Sequence, residues 1–251
     1  MIKSQRTAEA DPPLPLFFGC LFKDPVTMTD QTLPPSAHAT VKRGAKRARY
    51  DAETLHAILD AMPLCHVGYI IEGRPVVIPT LQWRDGNTLY WHGASTSRTI
   101  AAAAGQDVCV TVSILDGLVI ARSAFNHSVN YRSVVVHGRP RLIDDPVHKE
   151  AALKAMIESM TPGRWDALRP MHPKEFKATG VLALDLDEAS CKVRNGPPVD
   201  DAEDYALPIW AGVLPLHSRW GTPEDDSRVQ PGVEPPEAIT AFPQGPMFRG
   251  L

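Results

Sequence analysis

Short apolar, β-branched runs separated by tight-turn residues fill the middle of this chain, and they restrict it to a fold built from successive β-hairpins. The predicted strands are 65–71, 75–83, 88–92, 108–114, 118–123, 133–143 and 181–186. Turn residues stand between neighbouring runs at 72–74, 85–87 and 115–117, so these three joints are predicted hairpins. Hairpins in succession with few crossover helices predict an antiparallel barrel rather than a doubly wound parallel sheet.

Three helices are predicted between these strands. Asp51 is a helix N-cap, and apolar residues follow it at helical spacing up to Met62. An Ala-rich helix over 97–104 stops at Gly105, and Asp145 caps a third helix with proline at its first position. The expected fold class is therefore mainly β, or α+β, with a few flanking helices.

The ends of the chain differ from its middle. Residues 1–40 are rich in Pro, Thr and Ser without a sustained period, and residues 222–251 contain six prolines among scattered charges. Such segments bury too little apolar surface to offset the entropy of ordering, so both are expected to be flexible tails. Residues 1–27 are interpreted as an upstream extension before Met28. The folded domain is expected to span 41–221.

Composition excludes several classes of function. A formal net charge of −3 gives no basic field that would attract nucleic acid or acidic membranes. No stretch reaches the roughly 20 apolar residues that span a bilayer. The four cysteines form no CxxC pair and no histidine pair has metal-ligand spacing, so a reducing, cytoplasmic location without a metal site is expected.

Three stretches have residues suited to ligand binding. Residues 92–99, His-Gly-Ala-Ser-Thr-Ser-Arg-Thr, lie where a strand ends and a helix begins, which suits a phosphate group; equally, a serine there simply caps the helix. Residues 126–133 are interpreted as a polar loop that either lines a ligand site or solvates a connection. Pro79 interrupts the run 77–81, which marks an edge strand, a bulge or a strand turned toward a ligand.

Taken in order, these stretches resemble the flavin-binding split β-barrels of the pyridoxamine 5'-phosphate oxidase-like family. The resemblance covers about residues 49–212. It includes Val-Ile-Pro-Thr at 77–80, the Asp-Gly-Leu-Val of 116–119, Asn-Tyr-Arg-Ser-Val-Val-Val-His-Gly-Arg at 130–139 and Pro-Gly-Arg at 162–164. The Tyr-Arg-Ser-Val strand is most similar to the nitroimidazole-resistance and flavin-nucleotide-binding subset. The resemblance implies a six-stranded antiparallel split β-barrel that forms a homodimer, with FMN between the two subunits.

The same resemblance assigns roles to individual residues. Ile78, Pro79, Thr80, Leu81 and Gln82 would run along the isoalloxazine ring, and His92 and Gly93 would lie beside the ribityl chain. Ser95, Ser97 and Arg98 would hold the phosphate, Arg132 and Ser133 would face the flavin, and Trp210 would reach across from the partner subunit. The family's arginine before the ring segment is Val77 here, and the lysine after its Ser-Arg pair is Thr99. The carboxy-terminal arginine and histidine of true pyridoxamine phosphate oxidases are not recognisable, so vitamin B6 oxidation is not expected.

The function implied is an FMN-dependent oxidoreductase that takes electrons from NAD(P)H and passes them to a small acceptor, with no side chain identified as catalytic. Two other classes stay open. One is a haem-binding or haem-degrading split barrel, with His66 or His127 as axial ligand. The other is a non-enzymatic flavin carrier or redox sensor. A deazaflavin could replace FMN because it also carries a ribityl phosphate.

Overall fold

The computed structural model describes residues 34–241. The predicted extension 1–27, most of the predicted amino-terminal tail and the last ten residues of the carboxy-terminal tail lie outside this range. Both tails therefore stay predictions. Within residues 222–241 the regular structure is one short helix, α5.

Ten strands and five α-helices make up the described chain. The strands are β1 (Ala48–Arg49), β2 (Leu64–Ile71), β3 (Arg74–Asp85), β4 (Thr88–Ala94), β5 (Val108–Ile120), β6 (Ser128–Gly138), β7 (Arg141–Leu142), β8 (Thr179–Asp185), β9 (Glu188–Arg194) and β10 (Gly212–Pro215). The helices are α1 (Ala52–Ala61), α2 (Arg98–Ala103), α3 (Pro146–Met160), α4 (Pro173–Ala178) and α5 (Glu237–Thr240).

All strand pairings are antiparallel, in the order β1-β9-β6-β5-β2-β3-β4-β8-β7, and β10 adds to β5. The predicted mainly β, α+β class is confirmed. The strand number is ten rather than six. The additional strands include β1, with two residues, and β10, with four, and runs this short show no hydrophobic period. The predicted strand over 133–143 is divided, because β6 ends at Gly138 and β7 forms a separate two-residue strand that pairs with β8. Strand β9 was missed because it begins and ends with a charged residue.

The first two predicted hairpins are confirmed, and the third is wrong. Residues 115–117 do not turn the chain: β5 continues through them with a bulge between Leu115 and Gly117, and its whole length pairs with β6. Gly117 is required because the backbone oxygen of Leu214 lies 2.7 Å from the position its Cβ would take. The Asp-Gly pair thus belongs to a bulge in the β5–β6 ladder, and Gly117 also leaves room for β10, instead of forming a tight turn.

The predicted polar loop over 126–133 is also wrong in part. Strand β6 already begins at Ser128, so Asn130, Arg132 and Ser133 lie within a strand, and only the residues up to His127 connect β5 to β6. The polar side chains misled the prediction. Asn130 is buried and its amide oxygen accepts from the Arg194 guanidinium, which satisfies a polar group inside the sheet.

Two apolar clusters fill the fold. One lies inside the barrel and includes Ile58, Val67, Leu89, Trp91, Val110 and Leu182. The other joins α3 to the sheet through Trp83, Tyr90, Ile143 and Leu153. Both helix starts predicted from capping aspartates are confirmed, since Asp51 accepts from the Thr54 N–H and Asp145 from the His148 N–H, each at 2.7 Å.

Candidate functional site

A slit opens in the barrel where β3 changes its pairing partner from β2 to β4. Residues 74–81 of β3 pair with β2, whereas only residues 82–85 pair with β4. Residues 92–94 of β4 pair with β8 and not with β3. Between these two diverging segments, no strand of residues 34–241 lies opposite the backbone groups of β3 and β4.

The direction of the free backbone groups follows from one hydrogen bond. The Gln82 N–H donates to the Pro63 carbonyl at 2.7 Å, on the β2 side. Successive residues of a strand direct their backbone groups to opposite edges, so Pro79 and Leu81 direct theirs into the slit. A proline costs no ladder hydrogen bond there. Of the three alternatives predicted for Pro79, an edge, a bulge or a position turned toward a ligand, the strand pairing shows a local edge.

The side chains around the slit enclose a cavity of about 160 Å³, the slit cavity. Five predicted site residues line it, together with four others. The predicted ones are Ile78, Thr80, His92, Gly93 and Ser97, and the others are Val67, Trp91, Thr99 and Ile100. Hairpin register could have found Val67, because a two-residue turn after Ile71 places it directly opposite Ile78.

Two nitrogen atoms of the cavity wall are buried without a hydrogen-bond partner among the described residues. They are Nε1 of Trp91, whose residue is 2% exposed, and Nδ1 of His92. Burial lowers the pKa of His92, so its imidazole is neutral at neutral pH and offers hydrogen bonds rather than charge. Buried polar atoms without a partner are rare in folded proteins, which makes this wall a candidate ligand surface.

Two glycines make room for Ile100 of helix α2, which lines the cavity. The Cβ positions of Gly93 and Gly180 lie 3.0 and 3.1 Å from side-chain carbons of Ile100, so this isoleucine fills the space that two side chains would need. A residue larger than glycine at 93 would push Ile100, and the helix that carries it, away from β4.

The predicted phosphate segment divides into two parts. Ser97 lines the cavity, and its Oγ also accepts from the Thr99 N–H at 3.2 Å as the N-cap of α2. Ser95 and Arg98 are exposed and lie outside the lining set. Because α2 has only six residues, its dipole is small and the side chains must supply most of any phosphate binding.

The side chain of Gln82 makes hydrogen bonds within the fold. Its side chain is buried, and Nε2 donates to the Leu59 and Met62 carbonyls at 2.7 Å each. It therefore binds the end of α1 to β3. Pro79 and Leu81 alternate with the cavity-lining Ile78 and Thr80, so their side chains lie on the opposite face of β3.

Three further predicted residues lie away from the slit cavity of the same chain. Arg132 forms a two-pronged ion pair with Asp116 at the β5 bulge, at 2.7 and 3.0 Å, and Ser133 follows it on β6. Trp210 precedes β10 and is 68% exposed. None of the three lines the cavity.

Two other features are relevant in residues 34–241, a metal-binding group and a membrane-spanning helix. No group of three or more His, Cys, Asp or Glu side chains could hold a metal ion in that range. No helix there is long and apolar enough to cross a membrane.

Comparison with known proteins gives one family and several similar structures. The family model of pyridoxamine 5'-phosphate oxidase matches residues 51–193. Among curated proteins, none matches.

Two solved structures are similar over most of their length. The flavocytochrome Anf3 of Azotobacter vinelandii is 52% identical, with 83% of this chain and 97% of that one covered and a TM-score of 0.80. An FAD- and haem-binding protein of Mycobacterium smegmatis is 35% identical, with 81% and 100% covered and a TM-score of 0.77. A candidate 5-nitroimidazole antibiotic resistance protein of Bacteroides thetaiotaomicron is 21% identical, with 58% and 86% covered and a TM-score of 0.48.

Proposed function

The chain belongs to the pyridoxamine 5'-phosphate oxidase family, and we propose that it is a flavin-binding oxidoreductase whose flavin lies in the slit cavity. The observation that supports this most directly is the cavity wall, where Trp91 Nε1 and His92 Nδ1 are buried without a hydrogen-bond partner in the described part of the chain. Two relatives with 52% and 35% identity are named for flavin and haem, which supports the same cofactor class.

The groups around the slit fit a flavin at both of its ends. An isoalloxazine ring has a polar edge of carbonyl and N–H groups, which the free backbone groups of Pro79 and Leu81 and the indole N–H of Trp91 could pair. Ser97 in the cavity lining and Arg98, the first residue of α2, would supply the donors and positive charge that a ribityl phosphate needs. We propose FMN as the flavin.

When bound, a flavin supplies hydride and single-electron transfer, and the protein supplies binding, orientation and electrostatics. In this chain, Trp91 and Thr80 would hold the ring from the cavity wall. His92 is neutral and adds no charge beside it. We propose NAD(P)H as the electron donor and a small molecule as the acceptor.

The volume of the slit cavity supports a shared site. One chain provides about 160 Å³, whereas ligand cavities of drug-sized molecules measure ~300–1,000 Å³. A second copy of the chain would supply the remaining wall. The outer face of β2 and β3 carries an exposed apolar surface, the outer patch, formed by Leu64, Ile70 and Val77, which such a copy would cover. We propose a homodimer in which flavin binding and dimerisation stabilise each other.

The experiment compares two equally buried tryptophans, one in the cavity wall and one outside it. Trp91 lines the cavity, whereas Trp83 belongs to the α3 cluster. Both are 2% exposed, and the Nε1 of each has no hydrogen-bond partner within residues 34–241. Replacing either by phenylalanine removes one N–H and similar volume. Because a hydrogen bond contributes about 1–1.5 kcal/mol, Trp91→Phe should weaken FMN binding about tenfold, and Trp83→Phe should leave it unchanged.

Flavin fluorescence quenching measures both affinities, and mass spectrometry of the cofactor released from the purified protein identifies it. Equal losses in the two variants would mean that they damage packing and that Trp91 does not contact the flavin. A purified protein that binds neither FMN nor FAD would refute the proposed function.

Haem binding beside the flavin is a second candidate function. The names of the two similar structures support it, and so does the hydrogen bond made by one of the two histidines predicted as axial ligands. The His127 Nδ1 lies 2.8 Å from the Ser123 carbonyl oxygen.

A further inference from the structure

Four aromatic rings lie in contact between the slit cavity and the protein surface at the start of α3. They belong to His92, Trp83, Tyr90 and His148, in that order, and we call them the aromatic row. The ring centroids of His92 and Trp83 lie 5.8 Å apart, those of Trp83 and Tyr90 5.9 Å, and those of Tyr90 and His148 6.1 Å. The row therefore joins a residue of the cavity wall to a half-buried side chain at the surface.

Strand register brings the first three rings of the row together. Trp83 and Tyr90 are directly paired across β3 and β4, so their side chains share a face, and the two rings stack with their planes 13° apart. His92 follows Tyr90 by two residues on β4 and lies on the same face. Trp91 has the opposite parity and packs in the barrel cluster, where no ring contact joins it to another aromatic side chain of residues 34–241.

The last contact of the row is also a hydrogen bond. Tyr90 Oη and His148 Nε2 lie 3.2 Å apart, and with the imidazole protonated at Nδ1 the phenol donates and Nε2 accepts. The cap of α3 fixes this histidine, since its backbone N–H donates to the Asp145 carboxylate at 2.7 Å. Burial raises the pKa of Tyr90, so the phenol keeps its proton at neutral pH. The row thus ends in a protonated phenol with a base beside it.

This arrangement suits the transfer of single electrons. Tryptophan and tyrosine are among the side chains that lose one electron most easily, and electrons pass readily between aromatic rings in contact. An oxidised phenol also releases its proton, so it needs a base within hydrogen-bond distance, which His148 provides for Tyr90. Packing accounts for two buried rings in the α3 cluster, but it does not require the cavity wall at one end of the row and a base at the other.

We propose that the aromatic row supplies single electrons to the flavin when the flavin is excited by blue light. This inference rests on the proposed function, because the excited flavin is the oxidant. Trp83 loses one electron to the flavin across the ring of His92. Tyr90 then gives one electron to Trp83, while its O–H bond breaks and the proton binds to His148 Nε2.

The electrons and protons of this sequence balance. The flavin gains one electron, Tyr90 becomes a neutral radical, and His148 becomes an imidazolium. A small soluble reductant such as ascorbate returns one electron to Tyr90, and the imidazolium returns the proton. Light and an external reductant would in this way reduce the flavin without a donor molecule in the slit cavity.

Laser-flash transient absorption of the full-length protein saturated with FMN tests the proposal. The unmodified protein should form a tryptophanyl radical and then a tyrosyl radical, and the second step should be slower in D2O because an O–H bond breaks. Tyr90→Phe should lose the tyrosyl signal and keep the tryptophanyl signal. Tyr69→Phe is the matched control and should keep both. The two tyrosines are 5% and 4% exposed, but Tyr69 makes no ring contact and its hydroxyl has no hydrogen-bond partner within residues 34–241.

Two further variants test the steps on either side of Tyr90. Trp83→Phe should lose the tyrosyl signal although Tyr90 is intact, and its FMN affinity should equal that of the unmodified protein. His148→Phe keeps a ring at the end of the row but removes the proton acceptor, so it should keep the tryptophanyl signal and lose the tyrosyl one. His148 is half-buried, so this variant tests the row without a change in the core, and circular dichroism checks the folding of all of them.

Other outcomes overturn the inference in distinguishable ways. Bound FMN that yields no tyrosyl radical after the flash refutes the row and leaves the flavin proposal intact. The same holds if the tyrosyl signal persists in Tyr90→Phe or disappears in Tyr69→Phe, because the electron then comes from elsewhere. A tyrosyl radical that forms at an unchanged rate in His148→Phe refutes the proton transfer on which the row depends. Protein that binds no flavin refutes the proposed function and this inference together.

Discussion

Replacing Gln82 by methionine tests whether this side chain fixes α1 to the sheet or contacts the flavin. The substitution keeps length and volume and removes the two donors to Leu59 O and Met62 O. A buried carbonyl that loses its donor costs about 1–3 kcal/mol. Leu59 O keeps a weak donor, the Met62 N–H at 3.4 Å. Gln82 Oε1 is itself buried without a partner in the described residues, so its removal offsets part of the cost.

The net destabilisation should therefore be about 2 kcal/mol, which corresponds to a fall in Tm of about 4–8 °C for a domain of this size. Thermal denaturation by circular dichroism measures it, and FMN titration well below the transition should give an unchanged affinity. Thr80→Val is the matched control, two residues away on β3 and in the cavity wall; it should keep Tm and lower FMN affinity. An unchanged Tm with weakened FMN binding in Gln82→Met would refute the structural role and restore the ring contact expected from sequence.

Three further predictions concern chemistry at single groups. Burial raises the pKa of both Cys65 and Cys191 to about 12, so iodoacetamide at pH 8 should label neither thiol in the native protein and both after unfolding, as mass spectrometry would show. Burial lowers the pKa of His92, so this imidazole is protonated more readily in the unfolded chain than in the folded one. The free energy of unfolding should therefore fall as the pH drops below about 6.5. In urea titrations across pH 5–8, the free energy of unfolding of His92→Phe should depend less on pH than that of the unmodified protein. The same pH dependence in both proteins would contradict this prediction. Arg98→Ala should weaken FMN binding about tenfold to a hundredfold and riboflavin binding little, because riboflavin lacks the phosphate; fluorescence titration with equal losses for both flavins would exclude a phosphate contact.

The features that were predicted correctly from the sequence are those that local interactions determine. The Asp51 cap, the turn at residues 72–73 and the turn at 86–87 depend on neighbours a few residues away, and each lies where it was predicted. The Asp116-Gly117 pair has the composition of a turn, but pairing with β6 on one side and β10 on the other keeps it within a strand, so composition gave the wrong answer.

The candidate site likewise contains residues that the local pattern predicts and residues whose role depends on tertiary packing. Ile78 and Thr80 could be predicted because strand periodicity places them on one face, whereas Trp91 could not, because its role depends on where β3 and β4 diverge. Gln82 has the same strand parity as Thr80. Only the packing of α1 against β3 directs its amide to helix carbonyls instead of the cavity.

The contact between Gly117 and Leu214 has a consequence for how the chain folds. It joins residues far apart in sequence, so closing that loop is entropically costly and the contact should form late. Until β10 arrives, the last residues of β5 are an open edge strand that carries Leu118, and such edges pair readily with other chains. During synthesis, the sheet must wait for its final strand before that edge is protected from aggregation.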